Sequence, residues 1–343
     1  MPARPSFASD NWAGAHPAVL DALRAANDGP APAYGDDRWT AELVDWIREE
    51  FGPGVASFPV FNGTAANVIG LLGLTRPFHM VICSEIAHLA VDECGAPERI
   101  AGVKVRALGH EHGRLQPTDV AGAITGLGIV HHSQPSVLSL TQPTELGTVY
   151  GVAELEALCR IAHDAGLRVH MDGARLANAA AALDCSRRQV SRDVGVDVLS
   201  FGATKNGAIA VEVVLVFDGE AAGELPFVRK QTMQLASKGR FLAAQLLALA
   251  DGARWRANAI HANAMAQRLA TGLLDHPTVT ITRPVEANAV FAIFPTGVAE
   301  RLNRDADFYV WDEATTEVRL MTSWATTATE IELFLTLVSA ATK

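Results

Sequence analysis

The sequence predicts an α/β protein: a mixed, mostly parallel sheet flanked by helices, followed by a smaller C-terminal α+β domain. Three observations carry this expectation. From about residue 53, short β-like runs alternate with helical ones. A long helical stretch at 240–274 then interrupts the alternation, and four short strand-like segments follow it. A chain of 343 residues is also long for one average domain, which fits a large body with an appendage.

The elements follow in chain order. The first 30 residues are rich in Pro, Gly, Asn and Asp, as expected of an N-terminal arm (1–30) lying across another surface. The large domain is placed at 31–245. Within it "ASFPVF" (56–61) reads as a buried strand and "GTAANVIGLLGL" (63–74) as a helix entered through Gly63 and Thr64. "HMVICS" (79–84) is a strand, "HLAVDECGAPERI" has a helical pattern, and 128–142 contains a further strand. In "GVAELEALCRIAHDAG" (151–166), Val152, Leu155, Leu158, Cys159 and Ala162 build one apolar helical face, and Gly166 can end it. "LRVHMD" (167–172), "VDVLSFG" (196–202) and "AIAVEVVLVF" (208–217) complete the strands. The stretch 240–274 bridges to a small domain, 246–343, built from "VTITRP", "AVFAIFP", "FYVWDE" and "EVRLMTSW".

Hydrophobic residues make up 49% of the chain and charged ones 19%, which describes a folded protein with ample core. A formal net charge of −10 argues against nucleic acid or an anionic membrane as the partner and favours a small molecule. Cys83, Cys94, Cys159 and Cys185 show no C-x-x-C pairing and sit in apolar segments, so buried free thiols in a reducing compartment are expected and metal binding is not. The N-terminus has no apolar run of signal-peptide length, and the expected location is cytoplasmic.

The chemistry starts from a lysine. The chain has five lysines against twenty-three arginines, yet "FGATKN" keeps an amine at Lys205, with acids nearby in sequence only at Asp197 and Glu212. A guanidinium stays charged, whereas an amine can lose its proton when desolvated and form an imine. In "HMDGARL", Asp172 ends an apolar strand, where a carboxylate either caps the following helix or faces a crevice. In "GTAAN", Gly63 and Thr64 at a helix entrance offer N–H groups, a hydroxyl and the positive end of the helix dipole to a phosphate, although Thr64 as a plain N-cap is the simpler alternative. An amine, a carboxylate and a phosphate cradle on one sheet edge form the constellation that pyridoxal phosphate requires.

Taken together and in this order, "FNGTAAN", "EIAHLAVDECGAPE", "MDGARLANA", "SFGATKNGA" and "RLMTSW" resemble the low-specificity L-threonine aldolases, pyridoxal-phosphate enzymes of the aspartate-aminotransferase fold (fold type I). "FASDNWAGAHPAVLDAL" and "YGDDRWTAELVDWI" extend the resemblance to nearly the whole chain. The resemblance implies that Lys205 forms the imine, Asp172 partners the pyridinium nitrogen and Arg175 contacts the region of the phenolic oxygen. Gly63 and Thr64 would bind the phosphate, with Lys238 an extra phosphate ligand reaching from a partner subunit. His88 would stack on the ring and serve as the candidate base. Arg319 with Ser9 would hold the substrate carboxylate, and Tyr34 would line the site near a subunit interface. It further implies a homodimer or homotetramer that cleaves L-threonine and related β-hydroxy-α-amino acids to glycine and an aldehyde.

The plain alternatives are a surface role for His88, an ordinary strand position for Arg319 and a helix-surface position for Arg175. Two departures stand out. The loop that carries a histidine in the better-known branch here reads "TQPTELGTV", with Thr144 and Glu145 in that region, and "VRKQTMQLASKGRF", which holds Lys230 and Lys238, lacks that branch's glycine-rich form. The rival readings are another enzyme of the same fold (a β-eliminating lyase, racemase or aminotransferase) and a non-catalytic cofactor-binding sensor.

Overall fold

A computed structural model describes residues 4–217 and 222–342. The apolar runs of the first two thirds assemble into one seven-stranded sheet of β1 (Ala56–Val60), β2 (His79–Ser84), β3 (Lys104–Leu108), β4 (Gln134–Thr141), β5 (Arg168–Gly173), β6 (Val198–Gly202) and β7 (Glu212–Val216), in the spatial order β1-β7-β6-β5-β4-β2-β3. β3, β2, β4, β5 and β6 are parallel, and β7 runs antiparallel to both β6 and β1. Because β7 is reversed, its first residue lies at the same sheet edge as the last residues of β5 and β6: Thr141 pairs with Asp172, and Gly202 with Glu212.

Helices cover both faces, which is why the strands read as unbroken apolar runs. In chain order they are α1 (Pro17–Ala26), α2 (Arg38–Phe51), α3 (Gly63–Leu74), α4 (His88–Val91), α5 (Pro117–Ala123), α6 (Val152–Asp164), α7 (Leu176–Ala182), α8 (Leu225–Gln231) and α9 (Arg240–Ala250). Val19, Leu43, Leu155 and Leu242, from α1, α2, α6 and α9, bury one face, while Ala66 and Ile69 of α3 and Leu225 of α8 bury the β1-β7-β6 end of the other. α3 is apolar on almost every side, as a helix held between other elements must be, and Asn62 caps it by accepting the N–H of Ala65 at 2.9 Å.

The second body carries a four-stranded sheet in the order β10-β11-β9-β8, from β8 (Thr280–Ile281), β9 (Ala289–Ile293), β10 (Tyr309–Asp312) and β11 (Glu317–Met321). Around it lie α10 (Arg254–Leu274), α11 (Val298–Leu302) and α12 (Ala328–Ala341). α10 joins the two cores: Trp255 and Ala259 pack into the first, Ala266, Leu269 and Leu273 into the second. The N-terminal segment also belongs to the second body at its start, since Phe7 donates to Asp307 O and accepts from Met321 N, both at 2.7 Å.

Three expectations change. The stretch 240–274 is two helices, because the chain turns at Gly252 and Ala253, both with positive φ. "HLAVDECGAPERI" is α-helical only over His88–Val91, with a π-helical turn at Pro97–Ala101. Cys83 and Cys159 are buried as expected, but Cys94 is exposed and Cys185 half-buried; all four are free. Among the described residues, no helix is long and apolar enough to cross a membrane.

Candidate active site

The sheet edge beyond β5 and β6 opens into a cleft of about 360 Å³, lined by Asn11, Phe61, Asn62, Gly63, Thr64, His88, Ala174, Thr204, Lys205, Ala210 and Glu212. Two strand ends meet there at close quarters. A Cβ added to Gly202 would lie 2.4 Å from Ala174 O, so only glycine lets the end of β6 pass against the turn that follows Asp172. Lys205 then sits in a short 3-10 turn, Thr204–Asn206. That turn is anchored on α10, with Asn206 Nδ2 donating to Trp255 O and Asn258 Nδ2 donating to Asn206 O, both at 2.9 Å.

The electrostatics follow from burial and neighbours. Burial, and then the Arg175 guanidinium, push the Lys205 amine below its usual range against the pull of Asp10, Asp172 and Glu212. No hydrogen bond or ion pair holds that amine among the described residues. Burial works against an Asp172 carboxylate, but Lys205, Asn67 and the Ala174 N–H outweigh it and hold Asp172 below the usual carboxylate range. Asp172 does not cap α7, whose N-cap is Arg175 without a side-chain bond; it is buried near the end of β5, where Oδ1 accepts from Ala174 N at 3.0 Å in the turn that follows and Oδ2 from Asn67 Nδ2 at 2.8 Å.

His88 starts α4, with Nδ1 3.0 Å from Glu93 Oε1. A carboxylate there favours the proton on Nδ1, which leaves Nε2 as the acceptor. That hydrogen bond raises His88 above the ordinary imidazole range, with burial opposing and Asp172 assisting. Asn67 Nδ2 also donates to Glu93 Oε1 at 2.8 Å, so one amide links the His88 pair to Asp172. The ligand atoms of His88, Glu93 and Asp172 lie within 4.8 Å of one another, a spacing a metal could use, but the Asn67 bridge already ties the two carboxylates together.

The other expected residues divide. Gly63 and Thr64 line the cleft, but the cap is Asn62, so Thr64 is not the N-cap; it and Gly63 are the first helical residues, whose N–H groups a helix cannot satisfy itself. Arg175 is engaged by a residue the sequence reading passed over: Nε and Nη2 make a two-pronged pair with Asp10, at 2.5 and 2.9 Å, and Asn288 Nδ2 donates to the same carboxylate at 3.1 Å. Ser9, next to Asp10, uses its hydroxyl to cap the 3-10 turn Asp10–Trp12, accepting from Asn11 N at 3.2 Å, and it is Asn11 that lines the cleft. Arg319 lies in β11 with its guanidinium over Trp311 (5.0 Å) and Tyr309 (5.8 Å), and its Nε is buried without a partner. Burial, then the like charge of Arg175, push it below its usual range, so two guanidiniums converge on one region.

Tyr34 and Lys238 are not brought to this cleft within one chain. Tyr34 lines a separate hollow with Arg229 and Gly239, accepts Lys230 Nζ over its ring at 5.2 Å and donates its N–H to Ser237 O; Lys238 is exposed beside it.

Sequence reading missed Asp10, Asn67, Glu93, Glu145 and Glu212. All but Asp10 carried a faint signal. Asn67 is a polar residue inside an apolar helix, Glu93 lies five residues past His88, and Glu212 interrupts an apolar run. Glu145 lies where the family loop departs, and its Oε1 accepts from His88 N (2.8 Å) and Thr141 Oγ1 (2.9 Å). Burial pushes its carboxyl up to about 7.

Known proteins resemble this chain over most of its length. The sequence model described as Beta-eliminating lyase matches residues 6–296. The low specificity L-threonine aldolases of Pseudomonas sp. (strain NCIMB 10558) and Pseudomonas aeruginosa are 41% and 43% identical, each over 93% of this chain and 93% of theirs. The chain belongs to the low-specificity L-threonine aldolase family. Among solved structures, the threonine aldolase of Leishmania major superposes on 98% of this chain and 99% of its own with a TM-score of 0.93 at 28% identity. Aspartate aminotransferase from Thermus thermophilus covers 98% of this chain and 91% of its own, with a TM-score of 0.71 at 18% identity, which shows the shared fold.

Proposed function

We propose that the protein cleaves β-hydroxy-α-amino acids such as L-threonine and L-allo-threonine to glycine and an aldehyde, with pyridoxal 5'-phosphate as cofactor. The observation that carries this is the placement of Asp172 near the end of β5 and of Lys205 just past the adjacent β6, at the sheet edge where Lys205 shares a cleft with the entrance of α3. The residues present fit the cofactor. Gly63 leaves open space where a Cβ would meet nothing, Gly63 and Thr64 offer unsatisfied helix-start N–H groups to a phosphate, and the Lys205 amine is buried and uncommitted. Asp172, held below the usual carboxylate range by Lys205, Asn67 and the Ala174 N–H, suits a pyridinium N–H. When bound, the cofactor supplies an electron sink for the bond broken at Cα.

The chain's own groups do the rest. Arg319, with its unpartnered Nε and with Arg175 nearby, suits a substrate carboxylate, and holding it fixes which bond at Cα faces cleavage. Arg175 is held by Asp10, which leaves Nη1 for the phenolic oxygen of the cofactor. Ser9 supports the carboxylate site through the turn that places Asn11. His88 presents Nε2 as the acceptor for the β-hydroxyl proton while Glu93 steadies Nδ1.

Tyr34 and Lys238 fit a site completed by a second copy, and the exposure of Phe61, Phe227 and Met233 in one chain supports a homodimer or homotetramer. The four free cysteines suit a reducing, cytoplasmic compartment. The two cores support a large and a small domain, but Val19 of the expected arm (1–30) packs in the first core, and Leu246, Leu249, Trp255 and Ala259 carry that core past the expected large domain (31–245) into the expected small one (246–343).

Reduction of the loaded enzyme with borohydride should leave the pyridoxyl group on Lys205, and threonine should yield glycine and acetaldehyde. An adduct on Lys230 or Lys238, or release of ammonia and a 2-oxo acid instead of glycine, would reject the reading.

A further inference from the structure

Glu212 is an acid in the middle of an apolar segment. It opens β7, is 6% exposed and lines the cleft beside Lys205. Its carboxylate turns back under the lysine turn: Oε2 accepts from Ala203 N at 3.1 Å and Oε1 from Thr204 N at 3.4 Å. Thr204 closes the brace from the other side, since its Oγ1 accepts from Val211 N at 3.2 Å and donates to Val211 O at 3.3 Å. A glutamine would lose this arrangement on one side, because its NH2 would face an N–H donor. The charge matters as well as the shape. Five titratable or charged groups face the Lys205 amine: Asp10 from the N-terminal turn, Asp172 from the end of β5, Arg175 before α7, His88 from α4 and Glu212 from β7. Asp172 is already shared with Asn67, and Asp10 with Arg175 and Asn288. Among the three acids, Glu212 is the one whose recorded partners are all backbone or hydroxyl groups of the lysine's own turn and strand pair.

We propose that Glu212 is a positioning residue for Lys205: its carboxylate holds the 203–206 turn at the cleft and adds to the negative charge of Asp10 and Asp172 that favours a protonated lysine nitrogen. The inference rests on Lys205 being the cofactor-binding lysine, which borohydride trapping in the unaltered protein tests separately. Burial and the nearby lysine act in opposite directions on Glu212, and its carboxyl is pushed up to about 7, so the brace weakens its charge in acid before its neighbours do.

The experiment compares Glu212→Gln and Glu212→Asp with the parent in two ways. In the cofactor-free protein, acetic anhydride modification of Lys205 is followed by peptide mass analysis at several pH values. In the loaded protein, the absorbance of the cofactor–lysine chromophore is titrated without substrate. Glu212→Gln should acylate Lys205 several-fold faster at pH 8 and titrate about one pH unit lower, a shift of the size a lost neighbouring charge produces. Glu212→Asp keeps the charge and should titrate near the parent while losing cofactor more readily on dialysis. If glutamine is recovered only unfolded, Glu212→Met carries the same test. Unchanged acylation and titration in the charge-removing variant would overturn the proposal, as would an aspartate variant that shifts as far as the glutamine one.

Discussion

Replacing Glu93 by glutamine tests how the His88 ring is set. Glu93 is buried, and its Oε1 lies 3.0 Å from His88 Nδ1 and 2.8 Å from Asn67 Nδ2. Glu93→Gln keeps the size and one acceptor oxygen but removes the charge. Hydrogen bonds to charged groups are worth about 1.5–3 kcal/mol, against roughly 0.5–1.5 for neutral ones. The His88 side chain keeps 38% of its exposure, so water screens the pair and the low end of the difference applies, about 1 kcal/mol. At about 1.36 kcal/mol per unit, this lowers the His88 pKa by ~0.7 unit. A base must be neutral, so the acidic limb of kcat/KM, which reports groups of the free enzyme, should move down by the same ~0.7 unit. Stability carries a matching signature. His88 is raised in the folded state, so its contribution is complete below the ordinary imidazole range and is lost as pH rises through the raised value. Glu93→Gln should flatten that part of the Tm-against-pH curve. An acidic limb that stays within 0.2 unit of the parent, with cofactor still bound, would refute His88 as the titrating base.

Three further outcomes are expected. Asp172→Asn keeps the hydrogen bond from Ala174 N but sets an amide NH2 against Asn67 Nδ2, and threonine cleavage should fall by ~10²-fold or more; cleavage at the parental rate would reduce Asp172 to a structural residue of the turn after β5. Arg319→Ala should raise the KM for threonine by ~10-fold or more at unchanged cofactor absorbance, and Arg319→Lys should recover part of the binding while Cα deuterium exchange rises relative to cleavage, because a point charge lacks the fork; near-parental constants in Arg319→Ala would return it to a structural strand position. Gly202→Ala forces a methyl to within 2.4 Å of Ala174 O, a backbone atom that cannot rotate away, so thermal unfolding should show a loss of roughly 1–3 kcal/mol together with lost activity; an unchanged Tm would mean the two turns are free to part.

What the chain's text made legible, and what it did not, divides along the reach of each interaction. The helix at 63–74 is observed with the bounds read from sequence, because a strand, a turn and a continuous apolar run are local signals. The strands ending at Asp172 and before Lys205 were legible for the same reason, and the family motif supplied the chemistry at their ends. The break at 251–253 was marked by an Asp-Gly pair, but the apolar run on either side outweighed it, and the left-handed turn that extends to Ala253 has no cue of its own. The missed site residues share a different property. Asp10 meets Arg175 across 165 positions and Asn67 meets Asp172 across 105, and in each case a polar group becomes informative only once burial removes water as its partner. Glu212 shows the limit most directly. Its sequence neighbourhood argues for an ordinary strand, and only the reversal of β7 carries it to the edge where β5 and β6 end. Tyr34 and Lys238 fail in the opposite direction: their expected roles came from the family, and one chain folded alone keeps both outside the cleft. A role of that kind is a property of an assembly, so the sequence can suggest it but a single chain's geometry cannot supply it. Measuring cofactor retention as a function of protein concentration separates the cases, since a site built within one chain holds its cofactor equally well on dilution and a shared one does not.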